Sequence, residues 1–408
     1  MSSPSLSKSV LPRTIARSGR ALGIAVLALA PVLGFAQAGQ LDRGFGSNGI
    51  FSSTFNQTSS VFATCVALQP DGKIIVGGEA GNPGIVVRLN TNGTIDTSFG
   101  SAGVVSIRYR DVGNFTVGVA VQTDGKILAV GTGLPNAGQL VRLNSDGSLD
   151  TSFGNGGSVV LTQTAAGLLL QPDGNILVDG SIEGQATRVI QRFTTTGLPD
   201  SSFGHGGIAP LSAGAGLMAL QSDGKILVAS DTLSRYNSNG SIDHTFGVQG
   251  QVADLTGPAA VAVQSSGLIV TAGTEVSGLM QPTNSTGFGL SEVFPTGFPV
   301  FLFGTHGGTV TGFPGFPSAG ATTIAIQSNT SIVTAGQAAV TPLNSAFALA
   351  RYLPTGQLDG SFGTGGLVTT SFGNTAANIA AIVLQSDGKI VAVGAAGPNF
   401  VVARYLAQ

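Results

Sequence analysis

Two short stretches decide the fold: QPDGKIIVGG at 69–78 and IDTSFGSAG at 95–103. In the first, an Asp-Gly pair opens onto the β-branched run Lys73 to Val76, a strong local hairpin signal. In the second, short polar residues end on glycines, the composition of a turn between strands. Reading outward, both recur. The turn signature returns as LDRGFGSNG at 41–49, LDTSFGNGG at 149–157, PDSSFGHGG at 199–207, IDHTFGVQG at 242–250 and LDGSFGTGG at 358–366, with a degraded PVFLFGTHG at 299–307. The hairpin signature returns at 122–131, 171–180, 221–230 and 385–394, and in degraded form as QSSGLIVTAG at 264–273 and QSNTSIVTAG at 327–336. An arginine closes each unit except one, at Arg88, Arg142, Arg192, Arg235, Arg351 and Arg404.

The period of 43 to 63 residues is too long for leucine-rich repeats and suits the four-stranded blade of a propeller. Sustained helical periodicity is absent past residue 38, so the fold class expected is all-β. The chain past the leader begins on a turn signature and stops just after an arginine signature. Phe follows Arg by 11 residues at 88/99, 142/153, 192/203, 235/246 and 351/362, whereas Arg404 has no such Phe after it and Phe45 has no Arg before it. The two halves complete one another if the N-terminal segment closes the last blade, which removes exposed sheet edges. The expected architecture is a seven-bladed β-propeller with its ring closed in this way.

Composition sets the frame for function. Of 408 residues, 9% are charged and 42% hydrophobic; a disordered chain has the reverse bias. Lys8, Arg13, Arg17 and Arg20 precede the apolar stretch Ala21 to Phe35, and Ala36-Gln37-Ala38 offers small residues at the two positions a signal peptidase reads. Residues 1–38 are therefore expected to be a secretory signal peptide cleaved after Ala38, and 39–408 an exported propeller, periplasmic or secreted, with repeats degraded near 264–345. No later apolar run approaches the roughly 20 residues of a membrane-spanning helix. Removing the leader takes the net charge from −2 to −6, which argues against nucleic-acid binding. The chain is expected to be monomeric. One cysteine, Cys65, leaves no intramolecular disulfide and reads as a packing residue.

Most of the charge belongs to the repeat. Asp42, Asp96, Asp150, Asp200, Asp243 and Asp359 stand in the turn signature, and five of these follow an Arg by eight residues. The degraded unit has Glu292 and Val300 there, losing Arg and Asp together. The spacing predicts an Arg–Asp pair in each blade, with Arg404 reaching Asp42 across the closure; the alternative is an Asp that only caps its own turn.

With LDxSFGxxG, QxDGKI and ARYL at these spacings, the chain resembles the bacterial delta-60 repeat family over essentially residues 41–408. That resemblance implies an exported β-propeller and brings no catalytic residues with it.

Candidate sites are sparse. NSDGSLD at 144–150 and NSNGSID at 237–243 loosely follow a calcium loop, but TTTGLPD at 194–200 and LPTGQLD at 353–359 keep only the Gly and the final Asp, so a turn explains every copy. No resident metal or cofactor is expected, Ca²⁺ being the one candidate. His205, His244 and His306 lie within three residues of an FG pair and are expected on one face as solvated loop residues. No nucleophile elbow, HExxH or phosphate loop is present, and no catalytic residue is assigned. The insertions Val276 to Leu290 and Thr309 to Gly320 bring Phe288, Phe313 and Phe316 near Phe298 and Phe301. Aromatics in loops on a rigid scaffold mark contact with a partner, unless they fold back over their own blades. The functional expectation is a non-catalytic exported module binding a protein or glycan through loops; the alternative is a secreted hydrolase or lyase with a polar site at the central channel, as in streptogramin lyases.

Overall fold

The computed structural model describes residues 37–408 apart from 58–60, 110–111, 135–137, 183–184, 186, 213–216, 253–256 and 277–285; the leader expected over 1–38 lies outside it except for Gln37 and Ala38. Among the described residues every regular element is a β-strand, and the 28 strands form seven four-stranded antiparallel sheets. In the first sheet β2 (Val61–Leu68), β3 (Ile74–Ala80), β4 (Gly84–Leu89) and β5 (Val104–Ile107) lie side by side in chain order. The first strands of the later sheets are β6 (Val112–Val121), β10 (Gly167–Leu170), β14 (Leu217–Leu220), β18 (Pro258–Val263), β22 (Ser318–Ile326) and β26 (Ala377–Leu384). These strands approach one another around the axis and wall the channel.

The seventh sheet is completed from the other end of the chain. Here β27 (Ile390–Ala396) and β28 (Asn399–Tyr405) follow β26, and the outer strand is β1 (Ile50–Ser53), with Ile50 opposite Ala403 and Ser53 opposite Phe400. Each blade buries both faces against its neighbours, so its middle strands read as continuous apolar runs; all six residues of β4 are buried. The core is accordingly divided among the seven blade–blade interfaces. One of them packs Val391, Val393, Phe400 and Val402 of blade seven on Ile74, Val76, Ile85 and Val87 of blade one, sealing the ring.

Strand register fixes which loops share an end. Leu68 pairs with Ile74 and Ile74 with Leu89, so the Asp-Gly turn and the LDxSFG turn leave each blade at the same end. Glycine is required where these turns meet the preceding blade. Gly147 has φ +88° and a Cβ there would lie 2.8 Å from the Gly100 nitrogen.

Candidate functional site

At the turn end of each intact blade one arginine gathers a carboxylate, an aromatic ring and a carbonyl of the next blade, and in blade one a hydroxyl as well. Arg88 Nε lies 2.8 Å from Asp96 Oδ2, its Nη2 donates to Ser98 Oγ at 3.2 Å, its guanidinium covers the Phe99 ring at 4.6 Å, and Nη1 donates to the Ser145 carbonyl of the next blade. The carboxylate, ring and next-blade carbonyl contacts repeat at Arg142, Arg192, Arg235, Arg351 and Arg404, with Nε–Oδ2 distances of 2.7–3.0 Å and ring distances of 4.3–4.7 Å, and the hydroxyl contact recurs at Arg142, Arg192 and Arg351. Arg404 reaches Asp42 across 362 residues of sequence and donates to the Thr91 carbonyl of blade one. A buried guanidinium is tolerable only when its fork is satisfied, and here carboxylate, hydroxyl, carbonyl and ring do so together. Burial pushes the Asp96 carboxyl up, but the Ser98 hydroxyl, Lys73 and Arg88 outweigh it and hold the group well below the usual carboxylate range.

Blade five lacks this network. It comprises β18, β19 (Ile269–Val276), β20 (Thr286–Val293) and β21 (Gly308–Thr311). Glu292, Val300 and Leu302 stand where blade one keeps Arg88, Asp96 and Ser98, while Phe303 is retained and buried. Glu292 is 3% exposed and accepts from Gln264 Nε2 at 2.8 Å; burial pushes its carboxyl up to about 7.

With no arginine to organise it, the turn presents apolar side chains to solvent. Leu302 is 92% exposed, Phe301 72% and Phe298 60%, and Phe294 is also exposed. In blade one the same four positions are Asn90, Thr94, Thr97 and Ser98. The patch extends sideways. Gly247 N–H donates to the Thr296 carbonyl at 2.8 Å, which sets exposed Val248 of blade four beside it, and Gly304 N–H donates to Thr355 next to Leu353 of blade six. Exposed apolar groups this contiguous are unusual on a soluble surface.

The other expected aromatics behave differently. Phe288 lies within β20 and is fully buried, Phe313 is 4% exposed, and their rings meet edge to face at 4.8 Å with Phe316 packed against the same core. The expectation that Phe288 and Phe313 face a partner is corrected: they fold back over the blade five–six interface, the other alternative the sequence left open, and half-buried Phe316 packs against it. They also sit at the opposite end from Phe298 and Phe301, because Val263, Ile269 and Val293 are register partners at the turn end whereas Phe288 pairs with Thr311 towards the other. The sequence does not single out Phe294 and Leu302, although they stand where blade one has Asn90 and Ser98.

The remaining candidates are quickly placed. His205, His244 and His306 are all exposed at the turn end, in three different blades. The loosely calcium-like turns hold their own oxygens: Asp146 Oδ1 accepts from Ser148 N and Oγ at 2.9 and 2.7 Å, and Asn239 Oδ1 does the same for Ser241. Among the described residues no group of three or more His, Cys, Asp or Glu is disposed to hold a metal. Cys65 is buried, and burial pushes its thiol up to about 12. The seven channel-walling strands contain no Asp, Glu, His, Lys or Arg. A groove of about 1010 Å³ lies beside the outer strand β25 (Leu367–Thr370), lined also by Gln37, Arg43, Phe313 and Pro314.

The fold and its repeating turn network define a repeat-type β-propeller. Five stretches, 69–99, 122–153, 171–203, 221–246 and 385–408, match the family model described as "Domain of unknown function (DUF5122) beta-propeller", and blades five and six fall between matches. No curated protein matches the chain. Similar solved structures include virginiamycin B lyase from Staphylococcus aureus, 11% identical with a TM-score of 0.55 over 86% of this chain and 98% of that one. A streptogramin B lyase is 13% identical, TM-score 0.54, over 87% and 98%. Kuenenia stuttgartiensis hydrazine synthase is 10% identical, TM-score 0.57, over 86% and 98%. At these identities the likeness is one of fold.

Proposed function

We propose that the protein is an exported interaction module of the delta-60 repeat kind, which docks a protein partner on the turn end of blade five. The observation that carries this reading is the cluster Phe294, Phe298, Phe301 and Leu302, four large apolar side chains exposed in the one turn that has lost its arginine. Aromatic anchors at the centre of a contact, ringed by polar residues, are what binding hot spots are made of. A lyase or hydrolase acting in the channel would need acid–base groups from loops at its mouths, since the walling strands supply none.

The test transplants blade one's residues: Phe294→Asn, Phe298→Thr, Phe301→Thr and Leu302→Ser in one variant. Purified parent and variant serve as bait against envelope and culture fractions of the source bacterium. The reading expects a partner held by the parent and lost from the variant at unchanged thermal stability. A partner held equally by both would refute it.

A further inference from the structure

The seven turns at the arginine end obey one rule, and the seventh is built from two distant segments of the chain. In each turn the third residue offers its carbonyl to the Gly of the preceding blade's Phe-Gly pair: Asn92 to Gly46, Asp146 to Gly100, Thr196 to Gly154, Asn239 to Gly204, Thr296 to Gly247 and Thr355 to Gly304, all at 2.7–2.9 Å. The fourth residue is a glycine at φ between +79° and +88°, whose N–H returns to the first residue.

In the closing turn these four places are shared by two distant segments. Leu406 and Ala407 fill the first and second: the Leu406 carbonyl accepts from Gly39 N–H at 2.8 Å and the Ala407 carbonyl accepts from Arg351 Nη1 at 2.6 Å, as the Ser145 carbonyl does from Arg88. Ala38 and Gly39 fill the third and fourth. The Ala38 carbonyl accepts from Gly363 N–H at 2.8 Å, its side chain is 6% exposed among Phe362, Val401 and Tyr405, and Gly39 has φ +83°. Gln37 joins them, its Nε2 donating to the Gly363 carbonyl at 2.9 Å and its carbonyl accepting from Gln40.

Cleavage after Ala38, the cut expected from Ala36-Gln37-Ala38, would therefore remove the residue that completes the ring and leave the Gly363 N–H without that acceptor. Two residues earlier, Gly34-Phe35-Ala36 also presents small side chains at the two positions such a peptidase reads. We infer that the leader is removed between Ala36 and Gln37, so that the mature chain begins at Gln37 and keeps Ala38 as the closing residue of the ring. In this hydrolysis, which takes a leader peptidase and one water, the Ala36–Gln37 C–N bond breaks. Ala36 leaves as a carboxylate and Gln37 becomes the new ammonium. The inference rests on export and not on the docking surface.

The full chain is expressed with its leader in an exporting bacterium, recovered from outside the inner membrane, and analysed by intact mass and N-terminal peptide sequencing. The expected start is Gln37, as free amine or as the cyclised glutamine. A start at Gly39, or a chain retaining the leader, would overturn the inference. In a second measurement, chains released by a tag protease at Gln37 and at Gly39 are melted, each also without Gln408 so that its carbonyl cannot replace that of Ala38. The Gly39 chain is expected to melt roughly 2–5 °C lower. Equal midpoints in both pairs would overturn the role given to Ala38.

Discussion

Arg142 shows in one side chain why so few charges suffice. Its Nε holds Asp150 at 2.7 Å, its Nη1 reaches the Thr195 carbonyl of the next blade at 2.6 Å, and its plane covers Phe153 at 4.5 Å. Removing it leaves Asp150 with Lys126 at 2.9 Å as its one cation and takes the guanidinium donor from the Thr195 carbonyl, so Arg142→Ala should lower unfolding stability by about 2 kcal/mol, against less than about 0.5 kcal/mol for exposed Arg43→Ala. Arg142→Lys should recover only part of the loss, because a point charge cannot serve a fork. Equal effects of Arg142→Ala and Arg43→Ala in thermal melts would rule out the network as a source of stability. Glu292 is the opposite case, a buried carboxyl with no cation. Its folded value near 7 stands above the ordinary 4.5, so the unfolded chain ionises first as pH rises. Stability is then lost between about pH 4.5 and 7 and stays lost above. Glu292→Gln should match the parent at pH 4.5 and exceed it by about 2 kcal/mol at pH 8, a value discounted from ~1.4 kcal/mol per pKa unit for residual hydration. A pH-independent difference would contradict this assignment.

At the scale of the element, blade five is a propeller blade whose turn has been released from the ring's polar network. The double change Glu292→Arg with Val300→Asp should rebuild the missing pair over Phe303 and exceed the sum of the single changes by about 1.5 kcal/mol in a denaturation cycle. Additive effects would mean that the turn has drifted too far to accept the pair. The same blade marks the limit of what the sequence shows. Arg88, Asp96 and Phe99 carry fixed spacings, and from these the strands, the turns, the blade count and the Arg404–Asp42 closure can all be read. In blade five the Arg and the Asp are replaced by Glu292 and Val300 and only Phe303 remains, so the register of β20 is hard to read from the sequence. Phe288 then reads as part of an inserted loop, when it is a strand residue buried against Phe313. Burial of a given Phe depends on which sheet face and which end it occupies, and a slip of one residue reverses the face. The exposed pair is legible because Phe301 lies in the turn signature itself and Phe298 directly before it. Phe294 and Leu302 needed the register to be seen as part of the same patch.

For the whole molecule, the arginine turns act as seven clasps between successive blades, one of them altered. Asp42 and Asp359 are desolvated, yet backbone or hydroxyl donors and the neighbouring cations hold both below the ordinary carboxylate value; for Asp200 the Ser202 hydroxyl is the largest influence in the same direction. Depressed folded values mean that this stability is present above the unfolded carboxylate range and is lost as pH falls through the folded values. Unfolding free energy should therefore drop below about pH 4. A flat profile down to pH 2 would contradict the ionised pairs. The ring is closed by its own two ends, with β1 completing the seventh blade and Arg404 joined to Asp42. The most direct test is a double-mutant cycle on Arg404→Ala and Asp42→Ala, residues 362 apart in sequence and joined at 3.0 Å between Nε and Oδ2. A closed ring predicts a coupling of about 1–3 kcal/mol between the two changes. Strict additivity would mean that the ends do not meet in solution and that the propeller is open.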